Sequence, residues 1–183
     1  MFQHGTVVIL PTHLSNLDSI LIGYALDSVV GLPAFAYGAG LNLYESEIFA
    51  FYMTRLGAYR VDRRKKNPIY LDSLKIMSQV MLERGTNSLF FPGGTRSRSG
   101  EIERELKYGL LNSLLSAQRS IYEHGGNQKI IVVPLILGYH CTLEAQSLIS
   151  GYLKSTGEEK YVSSARKGFK VRNILSFAWK FFS

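Results

Sequence analysis

Apolar residues run unbroken from Val7 to Leu10 between Gly5 and Pro11, and this predicts a buried strand over Gly5–Pro11. A helix over Asn16–Val29 and a strand over Leu32–Tyr37 follow. Apolar Ile48, Phe49, Phe51 and Tyr52 predict a helix over Glu45–Leu56, and a short strand covers Ala58–Val61. The basic stretch Arg63-Arg64-Lys65-Lys66-Asn67-Pro68 breaks the pattern as a loop. Leu74, Met77 and Met81 recur at helical spacing and predict a helix over Ile69–Arg84, stopped by Gly85. Ser88–Phe91 reads as a strand ending at Pro92-Gly93-Gly94. Leu106, Leu110, Leu114 and Leu115 form the apolar stripe of a helix over Glu103–His124, with Gly125-Gly126 after it, and Lys129–Leu137 is an apolar strand. Strands alternating with helices predict an α/β fold, a mainly parallel central sheet flanked by helices.

Bulk properties narrow the partners. The 183 residues, 46% apolar and 19% charged, suit a single domain with a substantial core. A net charge of +7 favours an anionic partner: a phosphorylated substrate, an anionic membrane or a nucleic acid. The basic residues sit in pocket-like turns without an aromatic-interleaved recognition motif, which disfavours nucleic acid. Cys141, the single cysteine, excludes an intramolecular disulfide and fits a reducing compartment. No signal-peptide pattern follows Met1, and no apolar run approaches the ~18 residues of a membrane span. Contact with a membrane surface stays open. The tail, 161–183, is basic and aromatic. Val171, Ile174, Leu175, Ala178 and Phe182 can share one helical face, while Arg166, Lys167, Lys170, Arg172 and Lys180 beside Phe177, Trp179 and Phe181 suit a membrane interface. An ordinary helix packed on the sheet explains the same apolar face. Because the first strand starts near Met1 and the chain stops on Trp179-Lys180-Phe181-Phe182-Ser183, the expectation is one domain over 1–183, a piece of a longer chain.

Candidate chemistry begins at "THLSNLDS", residues 12–19. His13 falls just past a strand, at the carboxyl edge where open parallel sheets bind ligands. An imidazole titrates near neutrality and can take a proton from an alcohol, most effectively with a carboxylate on its other nitrogen. Asp18 could reach back to supply it. Ser15 and Asp18 also form S-x-x-D, a capping box, and an acid in the first turn suits the helix dipole. Both roles are compatible in one side chain. "FFPGGTRSRSG", residues 90–100, leaves a strand and precedes a helix. Its glycines allow close approach to a ligand, Arg96 and Arg98 can grip phosphate oxygens, and Thr95 and Ser97 add neutral donors. A solvated basic loop is the plainer alternative. "GAYRVDRR", residues 57–64, is a second basic cluster, or a charged turn. "GAGLNL", residues 38–43, lacks the third glycine of a dinucleotide fingerprint and reads as a turn. His140 and Cys141 would point to opposite faces of a strand, His4 and His124 lie at surface ends, and no residues have metal-ligand spacing.

Taken in order, these blocks resemble the glycerolipid acyltransferase family, the glycerol-3-phosphate and lysophosphatidate acyltransferases. The first block, H-x4-D, is His13 to Asp18. The second, ending in an arginine, is Gly57-Ala58-Tyr59-Arg60-Val61-Asp62-Arg63. The third, F-P-E-G-T-R-S in the family, is Phe91-Pro92-Gly93-Gly94-Thr95-Arg96-Ser97. The fourth, an apolar strand with a proline, is Val132-Val133-Pro134-Leu135. Arg98-Ser99-Gly100 and Gly40-Leu41-Asn42-Leu43 look more like the bacterial glycerol-3-phosphate branch.

The resemblance implies a glycerol-3-phosphate acyltransferase-like fold and an O-acyl transfer in phospholipid biosynthesis. His13 would deprotonate the acceptor hydroxyl and Asp18 would orient it. Arg63 and Arg96 would hold the acceptor phosphate with Thr95, Ser97 and Gly94, and Pro134 would shape the pocket floor. The implied partners are glycerol 3-phosphate or a lysolipid, an acyl-CoA or acyl-carrier protein as co-substrate, and a membrane surface on its cytoplasmic side. No metal or other cofactor is implied. Arg60 stands where an aromatic or aliphatic residue is common in the family, and Gly93 stands where glutamate is usual. The departure at Gly93 bears on acceptor identity and on activity, and supports a second class of reading, a non-catalytic relative that binds acyl chains or membrane.

Overall fold

The computed structural model describes residues 4–15, 17–45, 47–94, 97, 106–140 and 145–158. The chain divides into two compact units, Met1–His140 and Cys141–Ser183.

In the first unit, β1 (Gly5–Pro11) lies between β4 (Ser88–Leu89) and β5 (Lys129–Leu135), all parallel. The register pairs Val8 with Ser88 and with Val132, and Ile9 with Leu89 and with Val133. A second parallel pair joins β2 (Tyr37–Gly40) to β3 (Ala58–Val61). A bridge from Ala36 to Ser88 connects the two, so the strands run in the order β3, β2, β4, β1, β5. The chain is therefore α/β, with a parallel sheet flanked by helices, as its alternating pattern predicts.

Alternate side chains of β1 serve opposite faces, the period-two geometry of a strand. Val7 and Ile9 pack with Ile22 and Leu26 of the first helical segment and with Met53. Val8 packs with Leu82, Leu114 and Ala117 on the other face. Burial of each such side chain contributes about 1.5–3 kcal/mol. This two-sided coverage is why β1 reads as a continuous apolar run.

Helix α1 (Asp18–Ala25) widens into a π-helical turn over Leu26–Val30 and ends at Gly31, whose φ of 71° is left-handed. The second strand is displaced from its predicted position. Leu32–Phe35 stays outside the ladder, and the "turn" Gly38–Gly40 is strand. A Cβ at Gly38 would meet Val61 Cγ2 at 3.0 Å and the Tyr59 ring at 3.2 Å, so glycine here makes room for β3 side chains. A 3-10 turn over Leu41–Tyr44 leads to α2 (Glu47–Arg55). Its buried anchor is Met53; Ile48, Phe51 and Tyr52, apolar positions that predicted the helix, are exposed, and the Arg55 guanidinium lies 3.5 Å above the Phe51 ring.

Helix α3 (Pro68–Glu83) is capped by Asn67, whose Oδ1 accepts the Ile69 N–H at 2.9 Å. Ser78 and Leu82 are its fully buried positions, one turn apart, and Met77 and Met81 are half-buried beside them. Helix α4 (Tyr108–Glu123) buries Ser113, Leu114, Ala117 and Ile121, while predicted stripe residue Leu115 is 73% exposed and Leu106 precedes the helix. Its predicted start, 103–105, lies outside the described residues.

The second unit contributes α5 (Ala145–Ser155), an element absent from the sequence prediction; the basic aromatic tail, 161–183, lies outside the described residues. Among the described residues no helix is long and apolar enough to cross a membrane.

Candidate active site

Parallel strands deliver their following loops to one sheet edge. His13 follows β1, Arg63 follows β3, Phe91–Gly94 follows β4, and Tyr139 follows β5.

His13 Nδ1 lies 2.7 Å from Asp18 Oδ2. The same oxygen accepts the backbone N–H groups of Leu14 at 2.8 Å and Ser15 at 3.0 Å. The expected capping box does not form: the N-cap of α1 is Leu17, without a side-chain cap, and Ser15 Oγ accepts the Leu17 N–H at 3.1 Å. Asp18 thus ties down the turn that precedes α1 and engages the imidazole with one oxygen. The other oxygen accepts the Tyr139 hydroxyl at 2.5 Å. Asp18 is fully buried, whereas the His13 side chain keeps 16% exposure. Burial raises the carboxyl's pKa, but the hydrogen bonds from His13, Tyr139, Ser15 and Leu14 outweigh it and hold Asp18 below the ordinary carboxylate value. The ionised Asp18 only accepts, so Nδ1 carries the proton of a neutral ring and Nε2 carries the lone pair.

The His13 ring stacks on Phe91 with centroids 4.0 Å apart, which fixes its plane. The His13 carbonyl accepts the Ser97 N–H at 2.8 Å, tying the third block to the first. Gly94 turns with φ 69° and donates to the Phe91 carbonyl at 3.0 Å. Gly94 and Ser97 are therefore brought to His13. Thr95, Arg96 and Arg98 lie outside the described residues.

Arg63 shares the sheet edge but follows β3, three strands from β1, about 14 Å away at the ~4.8 Å strand spacing. In its cluster, Arg64 bonds both oxygens of Asp62 at 3.0 and 3.3 Å, and Arg60 lies 4.8 Å over the Tyr44 ring. Arg63 is exposed and, among the described residues, makes no ion pair. Tyr59 in the same block is no proton carrier at neutral pH, because burial pushes its phenol up to about 12. Pro134 sits exposed in the edge strand β5, in register with Leu10. It shares that residue's sheet face, opposite the face that packs Phe91 and Val133. The structure does not bring Pro134 to the His13 side.

Three site residues escape the sequence reading. Phe91 and Tyr139 touch the pair directly. Lys107 lays its side chain over the glycine turn, where a Cβ on Gly94 would meet its Cδ at 2.8 Å and its Nζ at 3.1 Å. The Lys107 N–H also donates to the Pro92 carbonyl at 2.8 Å. The available signal was topological: Tyr139 comes shortly after β5, which pairs with β1 along its whole length.

The arrangement can draw a proton from a hydroxyl at Nε2 and return it to a leaving group, with cations on the same edge for an anionic substrate. Among the described residues no group of His, Cys, Asp and Glu side chains is placed to hold a metal ion. Residues 1–138 match the family model described as Acyltransferase.

Proposed function

The chain belongs to the acyltransferase family, and from that premise we propose that it moves a fatty acyl group from an acyl-CoA or acyl-carrier-protein thioester to a hydroxyl of glycerol 3-phosphate, in phospholipid biosynthesis. Family membership carries an acyl donor and an acceptor; the identity of each belongs to this reading. The observation that carries it is the 2.7 Å contact between His13 Nδ1 and the buried Asp18, which leaves Nε2 as the basic nitrogen at the sheet edge.

In this mechanism Nε2 takes the acceptor's hydroxyl proton while the oxygen attacks the thioester carbonyl. Asp18 stabilises the imidazolium that forms. The tetrahedral intermediate collapses by breaking the C–S bond, and the imidazolium returns the proton to the departing thiolate. The products are an ester and a free thiol, and no acyl-enzyme forms. Holding hydroxyl and thioester together supplies up to ~7–11 kcal/mol in favourable cases.

Arg63 and Arg96, with Thr95, Ser97 and Gly94, form the proposed acceptor-phosphate site, and Lys107 beside Gly94 supports a cationic surface there. Exposed Tyr24, Val29, Val30, Ile48, Phe51 and Tyr52 suit a chain that works at a lipid surface.

The test is thiol release from palmitoyl-CoA with and without glycerol 3-phosphate, beside His13→Ala. Acceptor-dependent release in the parent and none in a folded variant is the expected result. Release that appears only with a lysophosphatidate acceptor would replace the acceptor. Full activity in His13→Ala would remove the base assignment. Binding of acyl-CoA without turnover on any acceptor would favour the non-catalytic reading, to which Gly93 points.

A further inference from the structure

We infer that Tyr139 is a positioning residue for the His13–Asp18 pair, clamping the carboxylate from the side away from the imidazole. The inference rests on the reading of His13 as the base, but its geometry stands by itself. Among the described residues every donor on Asp18 Oδ2 is local in sequence: His13, Leu14 and Ser15. The donor on Oδ1 comes from 121 positions away. A carboxylate's terminal torsion is broad and roughly two-fold, so local contacts alone leave its oxygens free to tilt or exchange. A second anchor on the opposite oxygen removes that freedom. It also satisfies an oxygen of a fully buried charge, where an unpaired position is costly.

The scaffold under Tyr139 is well tied. The loop after β5 runs beside the loop after β1: Thr12 N–H donates to the Leu135 carbonyl at 3.0 Å, and Leu137 N–H donates to Thr12 Oγ1 at 3.2 Å. The phenol is rigid, so its hydroxyl arrives at a set place. By donating to Asp18 it also draws charge from the carboxylate and moderates the hold on the imidazole. The strand ladder between β1 and β5 thereby sets the ring that His13 presents to its substrate.

The experiment uses the full chain labelled with ¹⁵N-histidine, without substrate, with His13 assigned by His13→Gln. In the parent, the neutral ring shows the Nδ1–H tautomer and a downfield Nδ1–H proton. Tyr139→Phe is expected to stay folded, to keep the Nδ1–H tautomer that an ionised Asp18 requires, and to move that proton further downfield as the carboxylate loses a competing donor. It is also expected to lower kcat about tenfold, the rate equivalent of one hydrogen bond, with both KM values kept. If that variant does not fold, 3-fluorotyrosine at position 139 preserves the ring and strengthens the donor, and the Nδ1–H proton should move upfield. A folded Tyr139→Phe with the parent's resonance and kcat overturns the inference, as does an unmoved proton in the fluorinated protein. Shifted resonances in a chain that transfers no acyl group would defeat the proposed function and leave the positioning role standing.

Discussion

Asp18→Asn separates the two duties that one side chain performs. The substitution conserves shape, and its amide carbonyl can take the place of Oδ2, accepting from His13, Leu14 and Ser15. Its NH2 then faces Tyr139, whose hydroxyl can turn and accept. Every hydrogen bond survives in neutral form, so the turn before α1 persists and the stability loss is about 1–3 kcal/mol, the difference between charge-assisted and neutral bonds. Catalysis loses far more. The imidazolium formed in the reaction no longer faces an anion, and two unit charges about 4 Å apart interact by about 4 kcal/mol at an effective dielectric of about 20. That corresponds to about a thousandfold in kcat. The assay is thiol release at saturating acceptor, with a thermal melt on the same sample. A kcat within about tenfold of the parent would show that Asp18 serves the turn before α1 and not the imidazole.

Three further outcomes follow from the same geometry. Asp18 favours its ionised form in the folded state, so its stabilisation is present above the ordinary carboxylate pKa and lost as pH falls through its lower folded value. The gap in melting temperature between the parent and Asp18→Asn should therefore narrow on acidification, and a constant gap would contradict the lowered pKa. Arg63→Ala should leave the melting temperature unchanged and raise the acceptor's KM about tenfold, whereas an unchanged KM takes Arg63 out of the phosphate site. Gly57→Ala should cost about 1–3 kcal/mol in urea titrations, because φ is 80° and the new Cβ would lie 2.6 Å from the Phe35 carbonyl oxygen; an unchanged midpoint would refute that clash.

Elements whose cause is local were legible in sequence. Gly5–Pro11 was read to the residue, because an apolar run between breakers needs no partner to declare itself, and Ala58–Val61 was read to the residue between Gly57 and the basic loop. Helix α3 shifted by one position at each end, since Asn67 caps and Pro68 fits the first turn. Misreadings occurred where a neighbour decides. Tyr37-Gly38-Ala39-Gly40 has the composition of a turn and the structure of a strand, because Tyr59 and Val61 of β3 occupy the space over Gly38. Leu115 belongs to an apolar run, but the buried face of α4 carries Leu114, Ala117 and Ile121, and Leu114 and Ala117 pack with Leu82 of α3.

The candidate site divides in the same way. From sequence alone came the α/β order of elements, the five-residue reach from His13 to Asp18, and the glycine turn within the third block. Each depends on bonds and torsions spanning a few residues. Only the tertiary structure decided that Tyr139 meets Asp18, that Phe91 holds the His13 ring, that Lys107 covers Gly94, and that Pro134 lies on the other face. Those contacts depend on which strands are neighbours and on their register, a global minimum of packing that no local pattern encodes.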